Sequence, residues 1–404
     1  MMSEIPVEIR ECLKKSVAEN LDNFHVEIHE GNKKGEGFLG DFIFLSLTNK
    51  KTEEILHLAI KQALASGTDV SFKFVSNVFH NELWFYDTIW PAFKKFQDNF
   101  PDAKKFSKIS RHYAIDARKG AEKLILENLK TQGFRNHNKT DCFEKKHLEY
   151  ILRNYGQFHA LSMAFRKLDP EIFQKITEPL VDNSQGLVDL RFYKRLVNQC
   201  CRNVLSSFNR ESDIEMYEKF KVYAEKGSDI LKETSNYRGK NLALMHGDCW
   251  SNNIMFKYDD SDNIEDIRFI DFQFTKLGTV VFDLSYCIYA SFSKEILDDL
   301  DHYLRVYHQS LSESLRGYKL DPDLLYPYDD FIREWKQYSK FGVIMGILCN
   351  SGKNIDLESM PLLTDLIDEE ENRENDENTT DSFSFPSEEI ARTLVLHAYV
   401  NNYL

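Results

Sequence analysis

The chain has 404 residues, a length that accommodates two or three domain-sized units. Hydrophobic residues make up 42% and aromatics 13%, with few prolines and glycines, which excludes a mostly disordered, collagenous or low-complexity protein. Asp and Glu outnumber Lys and Arg by 65 to 51, a formal charge of −14. That balance argues against nucleic acid as a partner, because such binding rests on counterion release by basic patches, and against a polybasic membrane anchor.

The cysteines, Cys12, Cys142, Cys200, Cys201, Cys249, Cys287 and Cys349, are odd in number and scattered, with no CxxC pairing. Neither a disulfide framework nor a zinc site follows, and a reducing, cytoplasmic setting is expected. The opening MMSEIPVEIRECLKK lacks the apolar core of a signal peptide, and no apolar run is long enough to span a membrane.

Along the chain, Ile5, Ile9, Leu13, Val17 and Leu21 recur at helical spacing and predict an amphipathic helix. FHVEIHE (24–30), GFLGDFIFLSL (37–47) and EEILHLAIK (53–61) read as strands punctuated by Gly and Asn-Lys-Lys. An aromatic helical run follows from Val75 to Phe96, interrupted at Pro91, and then RHYAID (111–116) and EKLILENL (122–129) return to strand. Residues 1–130 are therefore expected to form a small lobe, a mixed sheet with one helix laid across it. From 131 to 404 the pattern turns mainly helical, at 144–168, 190–208, 212–232 and from 294 onward. Inside it lies a β-rich island, NLALMHGD (241–248), NIMFKYDD (253–260) and IEDIRFIDFQF (264–274). The expected fold class is α+β with two lobes. Residues 365–387, acidic and almost free of aliphatics after Ile367, predict a solvated, disordered loop.

The chemistry concentrates in Leu244-Met245-His246-Gly247-Asp248-Cys249-Trp250-Ser251-Asn252-Asn253, followed by Ile270-Asp271-Phe272. A lone His-Gly-Asp is an ordinary turn with a capping Asp. Here an apolar strand precedes it, Asn253 stands at the fifth position after Asp248, and a hairpin of plausible length returns to an apolar strand ending at Asp271. This is the H-x-D-x-x-x-x-N spacing of kinase catalytic loops. Phosphoryl transfer from ATP needs a carboxylate at the acceptor hydroxyl and oxygen ligands for Mg²⁺. The pattern offers Asp248 as catalytic base, and Asn253 and Asp271 as metal ligands suited to a hard cation.

HGDCWSNNIMF, IDFQF and FDLSY resemble the ecdysteroid kinase-like (CHK-type) family, grouped with choline kinases and aminoglycoside phosphotransferases in the protein-kinase-like superfamily. The resemblance spans roughly residues 20 to 350 and implies a bilobal protein-kinase-like fold. It also implies ATP- and Mg²⁺-dependent phosphorylation of a hydroxyl group on a small molecule, such as a steroid-like (ecdysteroid) or xenobiotic alcohol. A choline- or ethanolamine-type kinase and a catalytically inactive ligand-binding relative are the alternatives. Degenerate modules usually lose a functional residue, and here the expected set is complete. A choline site would need an aromatic cage for the quaternary ammonium, and Trp335 and Tyr338 are too ordinary to supply that evidence.

The resemblance assigns further roles. A strand lysine paired with a helix Glu grips the phosphates. Lys61, at the end of an alternating apolar strand, is preferred with Glu82 in FHNELWFYDTIWP as its partner, over Lys73, which is expected in a linker. Gly35-Glu36-Gly37-Phe38-Leu39-Gly40 stands where a phosphate-covering loop belongs, with Gly37 and Gly40 as its candidates, although Phe38 and Leu39 depart from the polar family pattern. EKLILENLK resembles the hinge strand, with backbone groups of Glu127 and Leu129 facing the adenine edge. His246 and Asp283 are expected to brace the catalytic loop, Asp283 also capping a helix, and His159 to be a satisfied core histidine. Gln273, where protein kinases have the Gly of D-F-G, argues against a loop flip.

Overall fold

The computed structural model describes residues 7–16, 21–29, 40–63, 68–138, 141–237, 239–352, 363–372 and 388–404. In the first lobe, strands β1 (Phe24–His29), β2 (Gly40–Asn49), β3 (Ile55–Ala63), β4 (His112–Asp116) and β5 (Lys123–Glu127) form one sheet in the order β1-β2-β3-β5-β4. Strand alternation divides its side chains. Leu45, Leu47, Leu58, Ile60 and Ile125 bury one face under Ile9 and Leu13 of helix α1 (Val7–Ser16). Lys61, one residue past Ile60, therefore points to the opposite face, toward helix α2 (Asp69–Trp84).

α2 runs through a π-helical turn, Phe85–Ile89, into α3 (Trp90–Asp98). Pro91 stands in the first turn of α3, directly after the π-helical turn. The helix continues past the proline and is not broken there.

The second lobe is built on α4 (Lys145–Leu168) with α5 (Pro170–Thr177), α6 (Asn183–Asp189), α7 (Arg191–Ser206) and α8 (Ile214–Ser235). A β-rich island follows. β6 (Arg135–Asn136), β8 (Ile254–Tyr258) and β9 (Ile264–Phe269) make one small sheet, and β7 (Ala243–Met245) pairs with β10 (Lys276–Gly278) in another. Beyond it come α9 (Val280–Ala290), α10 (Lys294–Asp298), α11 (Leu300–Gly317), α12 (Pro322–Leu325), α13 (Tyr328–Tyr338), α14 (Lys340–Gly352), α15 (Leu363–Glu371) and α16 (Glu388–Val400). The main core runs continuously from α2 and α3 through α4, α7, α9, α11 and α14.

Three expectations need correction. The first-lobe sheet is antiparallel in every pair, not mixed. Lys73 lies exposed on α2 and not in a linker, because the helix begins at Asp69, before the aromatic run that marks it in the sequence. Residues 365–371 are helical, part of α15, with Thr364 and Ile367 buried and Arg195 clasping Glu370. Counter-charges from α7 let this acidic segment fold. Residues 373–387 of the expected loop lie outside the described residues.

Candidate active site

Lys61 is only 4% exposed and Glu82 only 1%. The Lys61 ammonium donates to Glu82 Oε2 at 2.7 Å and to Asp271 Oδ1 at 2.9 Å, so residues far apart in the chain meet at one cation. Burial opposes this charge, but the Asp271 and Glu82 carboxylates outweigh it and hold the ammonium pKa above its ordinary value. Gln273, with its amide turned to satisfy both ends, donates to Asp271 Oδ1 at 3.0 Å and accepts from Lys61 at 3.1 Å. It occupies the place of the D-F-G glycine as a brace.

The Asp248 loop is set by its neighbours. Gly247 adopts φ +88°, and a Cβ there would stand 2.1 Å from the Phe274 carbonyl oxygen, so only glycine fits. Asp283 is buried on the first turn of α9. Its carboxylate accepts from the N–H of His246 at 2.7 Å, the N–H of Gly247 at 2.9 Å and His159 Nε2 at 3.1 Å. Burial works against this carboxylate, but the hydrogen bonds from His159 and the Gly247 N–H hold its pKa below the ordinary value. The α9 cap is Thr279, so the bracing role expected of Asp283 is present and the capping role belongs to another residue.

His246 Nε2 donates to the Ile270 carbonyl at 2.9 Å, while its Nδ1 accepts from the Asp248 N–H at 3.2 Å. Those two bonds define a neutral imidazole protonated at Nε2, which burial also favours. His159 is fully buried, bonded to Tyr307 and Asp283, a core histidine that braces the loop indirectly.

At the loop's centre, Asn253 Nδ2 donates to Asp248 Oδ2 at 2.7 Å and to the Asp248 carbonyl at 3.0 Å. Tyr286 donates its hydroxyl to Asp248 Oδ1 at 3.0 Å. Burial, then the charge of Asp271, raises the Asp248 pKa to about 7, near the operating range of a general base. The β8–β9 hairpin, with Ile254 opposite Phe269, returns the chain so that Ile270 N–H donates to the Asn253 carbonyl at 3.1 Å. Asn253 and Asp271 thus lie at adjacent ends of one hairpin. Asp271 takes φ +69°, a strained conformation for a non-glycine residue.

Among the described residues no three His, Cys, Asp or Glu side chains form a metal cage. Mg²⁺ bound to nucleotide needs no such cage, since one or two protein oxygens and the phosphates suffice. The donors fit that ion. With its amide nitrogen committed to Asp248, Asn253 keeps a carbonyl oxygen to offer, and two carboxylates, Glu82 and Asp271, share a single ammonium.

Gly37 lies outside the described residues. Gly40 opens β2, where a Cβ would stand 2.7 Å from the Gln62 carbonyl oxygen and 3.0 Å from the Phe79 ring, so its bareness serves strand and helix packing. In the segment expected to be the hinge, Glu127 N–H donates to the Arg111 carbonyl at 2.9 Å and the Leu129 carbonyl accepts from Phe134 N–H at 3.1 Å. Leu129 packs with Phe134, Met255 and Ile270 in a small apolar cluster. Trp335 is fully buried against Tyr289, Phe331 and Tyr403, and Tyr338 packs on Tyr237 and Phe282, so both serve ordinary packing.

The sequence reading missed three participants. Tyr286 stood in the FDLSY motif, one helical turn after Asp283. Asn81 and Asn183 fasten α2 and the segment after Asp271 to one stretch of the second lobe. Their contacts are long-range and carry no local pattern.

A small antiparallel sheet lobe, a larger helical lobe, and a Lys–Glu–Asp cluster facing an Asp–Asn loop define a bilobal protein-kinase-like protein. The ecdysteroid kinase-like family model matches residues 34–320, and the chain belongs to that family. Among solved structures, the choline kinase from Cryptosporidium parvum Iowa II is similar at 13% sequence identity and a TM-score of 0.42, over 98% of this chain and 95% of that one. No curated protein matches the chain.

Proposed function

We propose that the protein transfers the γ-phosphoryl group of ATP to a hydroxyl group on a small molecule, with residues 1–130 serving as the nucleotide-binding lobe and 131–404 as the catalytic and acceptor-binding lobe. The observation that carries this reading is the Asp248 carboxylate, held by Asn253 and Tyr286 and facing the Lys61–Glu82–Asp271 cluster. Asp248 orients the acceptor hydroxyl and takes its proton as the acceptor oxygen bonds to the γ-phosphorus. The bond from that phosphorus to the β-phosphate oxygen breaks, and ADP leaves with the electron pair. Lys61 turns a fixed positive charge toward the phosphates, where Glu82 holds it. Asn253 and Asp271 would hold Mg²⁺, which neutralises charge on the phosphates when bound. The family points to a steroid-like or xenobiotic alcohol as acceptor.

Two measurements test this. Saturating MgATP should raise the melting temperature, since a ligand specific for the native state adds about 2.7 kcal/mol at a hundredfold excess over Kd. Asp271→Ala should abolish that shift while Asp248→Asn keeps it and loses phosphoryl transfer, followed by mass spectrometry across a panel of alcohols. A wild-type melting curve unmoved by MgATP removes the reading, and equal loss of the shift in both variants refutes the assignment of base and metal ligand.

A further inference from the structure

We propose that Tyr286 is a positioning residue of the transfer reaction, fixing one oxygen of the Asp248 carboxylate while Asn253 fixes the other. The inference rests on the phosphotransferase reading above and adds a residue to it.

A carboxylate on its terminal torsion is free to rotate, because that torsion has broad, shallow wells. One hydrogen bond, from Asn253 Nδ2 to Oδ2 at 2.7 Å, leaves it able to pivot about that oxygen. The second, from the Tyr286 hydroxyl to Oδ1 at 3.0 Å, fixes the carboxylate plane. Each oxygen retains a lone pair for an acceptor hydroxyl.

The phenol is itself held. Tyr286 is buried, and Cys349 of α14 donates its thiol to the Tyr286 oxygen at 3.7 Å, leaving the hydroxyl proton for Asp248. Burial and then the Asp248 charge keep the phenol protonated. Its helix is a rigid mount. At Gly342 a Cβ would stand 2.3 Å from the Ser285 carbonyl carbon, so α14 lies directly on the α9 backbone next to Tyr286. One turn earlier on α9, Asp283 grips the main-chain N–H groups of His246 and Gly247. α9 thus holds the catalytic loop twice, by its backbone through Asp283 and by its reactive side chain through Tyr286.

ATP hydrolysis, with water in place of the alcohol, supplies a readout that needs no identified acceptor. Tyr286→Phe deletes one oxygen and keeps the ring. It should lower kcat about tenfold to a hundredfold, leave KM for MgATP within about twofold and preserve the MgATP-induced Tm shift, because the base loses one of its two holding hydrogen bonds while the Lys61–Glu82–Asp271 cluster is untouched. Tyr289→Phe is the control. Tyr289 is fully buried one turn further along α9 and meets Trp335 and His397, so its kcat should match wild type. Tyr286→Phe turning over at the wild-type rate overturns the inference. So does an equal loss in Tyr289→Phe, which would trace the effect to helix packing. Wild-type protein that neither shifts with MgATP nor hydrolyses it overturns the function itself and this inference with it, a failure separate from a working enzyme indifferent to Tyr286.

Discussion

Replacing Lys61 by Met separates the stability of the cluster from its chemistry. The ammonium is the only cation bonded to two carboxylates there, and Glu82 is almost wholly buried while the Asp271 side chain is 29% exposed. Without the ammonium, Asp271 turns to solvent at modest cost, but Glu82, whose pKa burial already raises against the pull of Lys61, is left as an unpaired buried carboxyl that must take up a proton or bear an uncompensated charge. Removing one partner of such a pair costs about 3–5 kcal/mol. Adding Glu82→Gln removes the stranded ionisable group, so the double variant should recover most of that loss in urea unfolding. Activity should not follow. Both the single and the double variant lose the charge aimed at the phosphates, and kcat/KM for ATP turnover should fall by about a hundredfold or more in each. Lys73→Met, an exposed change on the outer side of α2, should stay within about 0.5 kcal/mol and keep its rate. A double variant as unstable as the single one would refute the electrostatic account. A rate loss in Lys73→Met would move the phosphate lysine.

Two further changes probe what surrounds the cluster. Asp283→Asn withdraws the charge that holds two loop N–H groups and His159, and should cost about 2–4 kcal/mol at neutral pH together with most of kcat. Because the folded pKa of Asp283 lies below its unfolded value near 3.9, that stability is complete above the unfolded value and is lost as pH falls through the folded one. The gap between wild type and Asp283→Asn in denaturation curves should therefore narrow below about pH 4, and a gap unchanged down to pH 2 would contradict the assignment. Asp368 of α15 accepts from the N–H and hydroxyl of Thr68, capping α2 from outside its own segment, so Asp368→Ala should cost about 1 kcal/mol and speed amide exchange at residues 69–72. Unchanged exchange there would mean that α2 is capped without α15.

The parts legible in the sequence are those whose chemistry imposes a spacing. Asp248 and Asn253 meet because five residues make one short turn, and Asp271 joins them because a hairpin returns the chain. Lys61 was readable because the family resemblance asks for a strand lysine and the alternation of Leu58 and Ile60 singles this one out. Long-range compensation was not readable. α15 has acidic composition, and its folding depends on Arg195, Arg191 and Thr68, none of them near it in the chain. Its apolar stripe at Leu363, Thr364 and Ile367 was a signal, outweighed by the charge of the residues that follow. Tyr286 was likewise visible as a residue of a recognised motif and invisible as a partner of Asp248, because only the packing of α9 beside the loop brings the two together.

Helix α2 is also tied to the second lobe, which bears on how such a protein would be controlled. In α2, Asn81 donates to the Val181 carbonyl at 2.8 Å and the Thr275 carbonyl at 3.1 Å, and Val181 N–H donates back at 2.9 Å. Asn183 donates to the Gln273 carbonyl at 2.8 Å. Phe272 lies face to face with Phe85 of the π-helical turn, ring centroids 3.7 Å apart and planes 4° from parallel. Swinging α2 outward would break these contacts together. At about 0.5–1.5 kcal/mol for each hydrogen bond and a similar amount for the stack, the open state lies several kcal/mol higher. An opening cost of about 3 kcal/mol already leaves under about 1% of molecules open. On the proposed function, an α2 swing that separates Lys61 from Glu82 would therefore be a costly way to control the enzyme, and the supply of nucleotide and acceptor would govern its turnover.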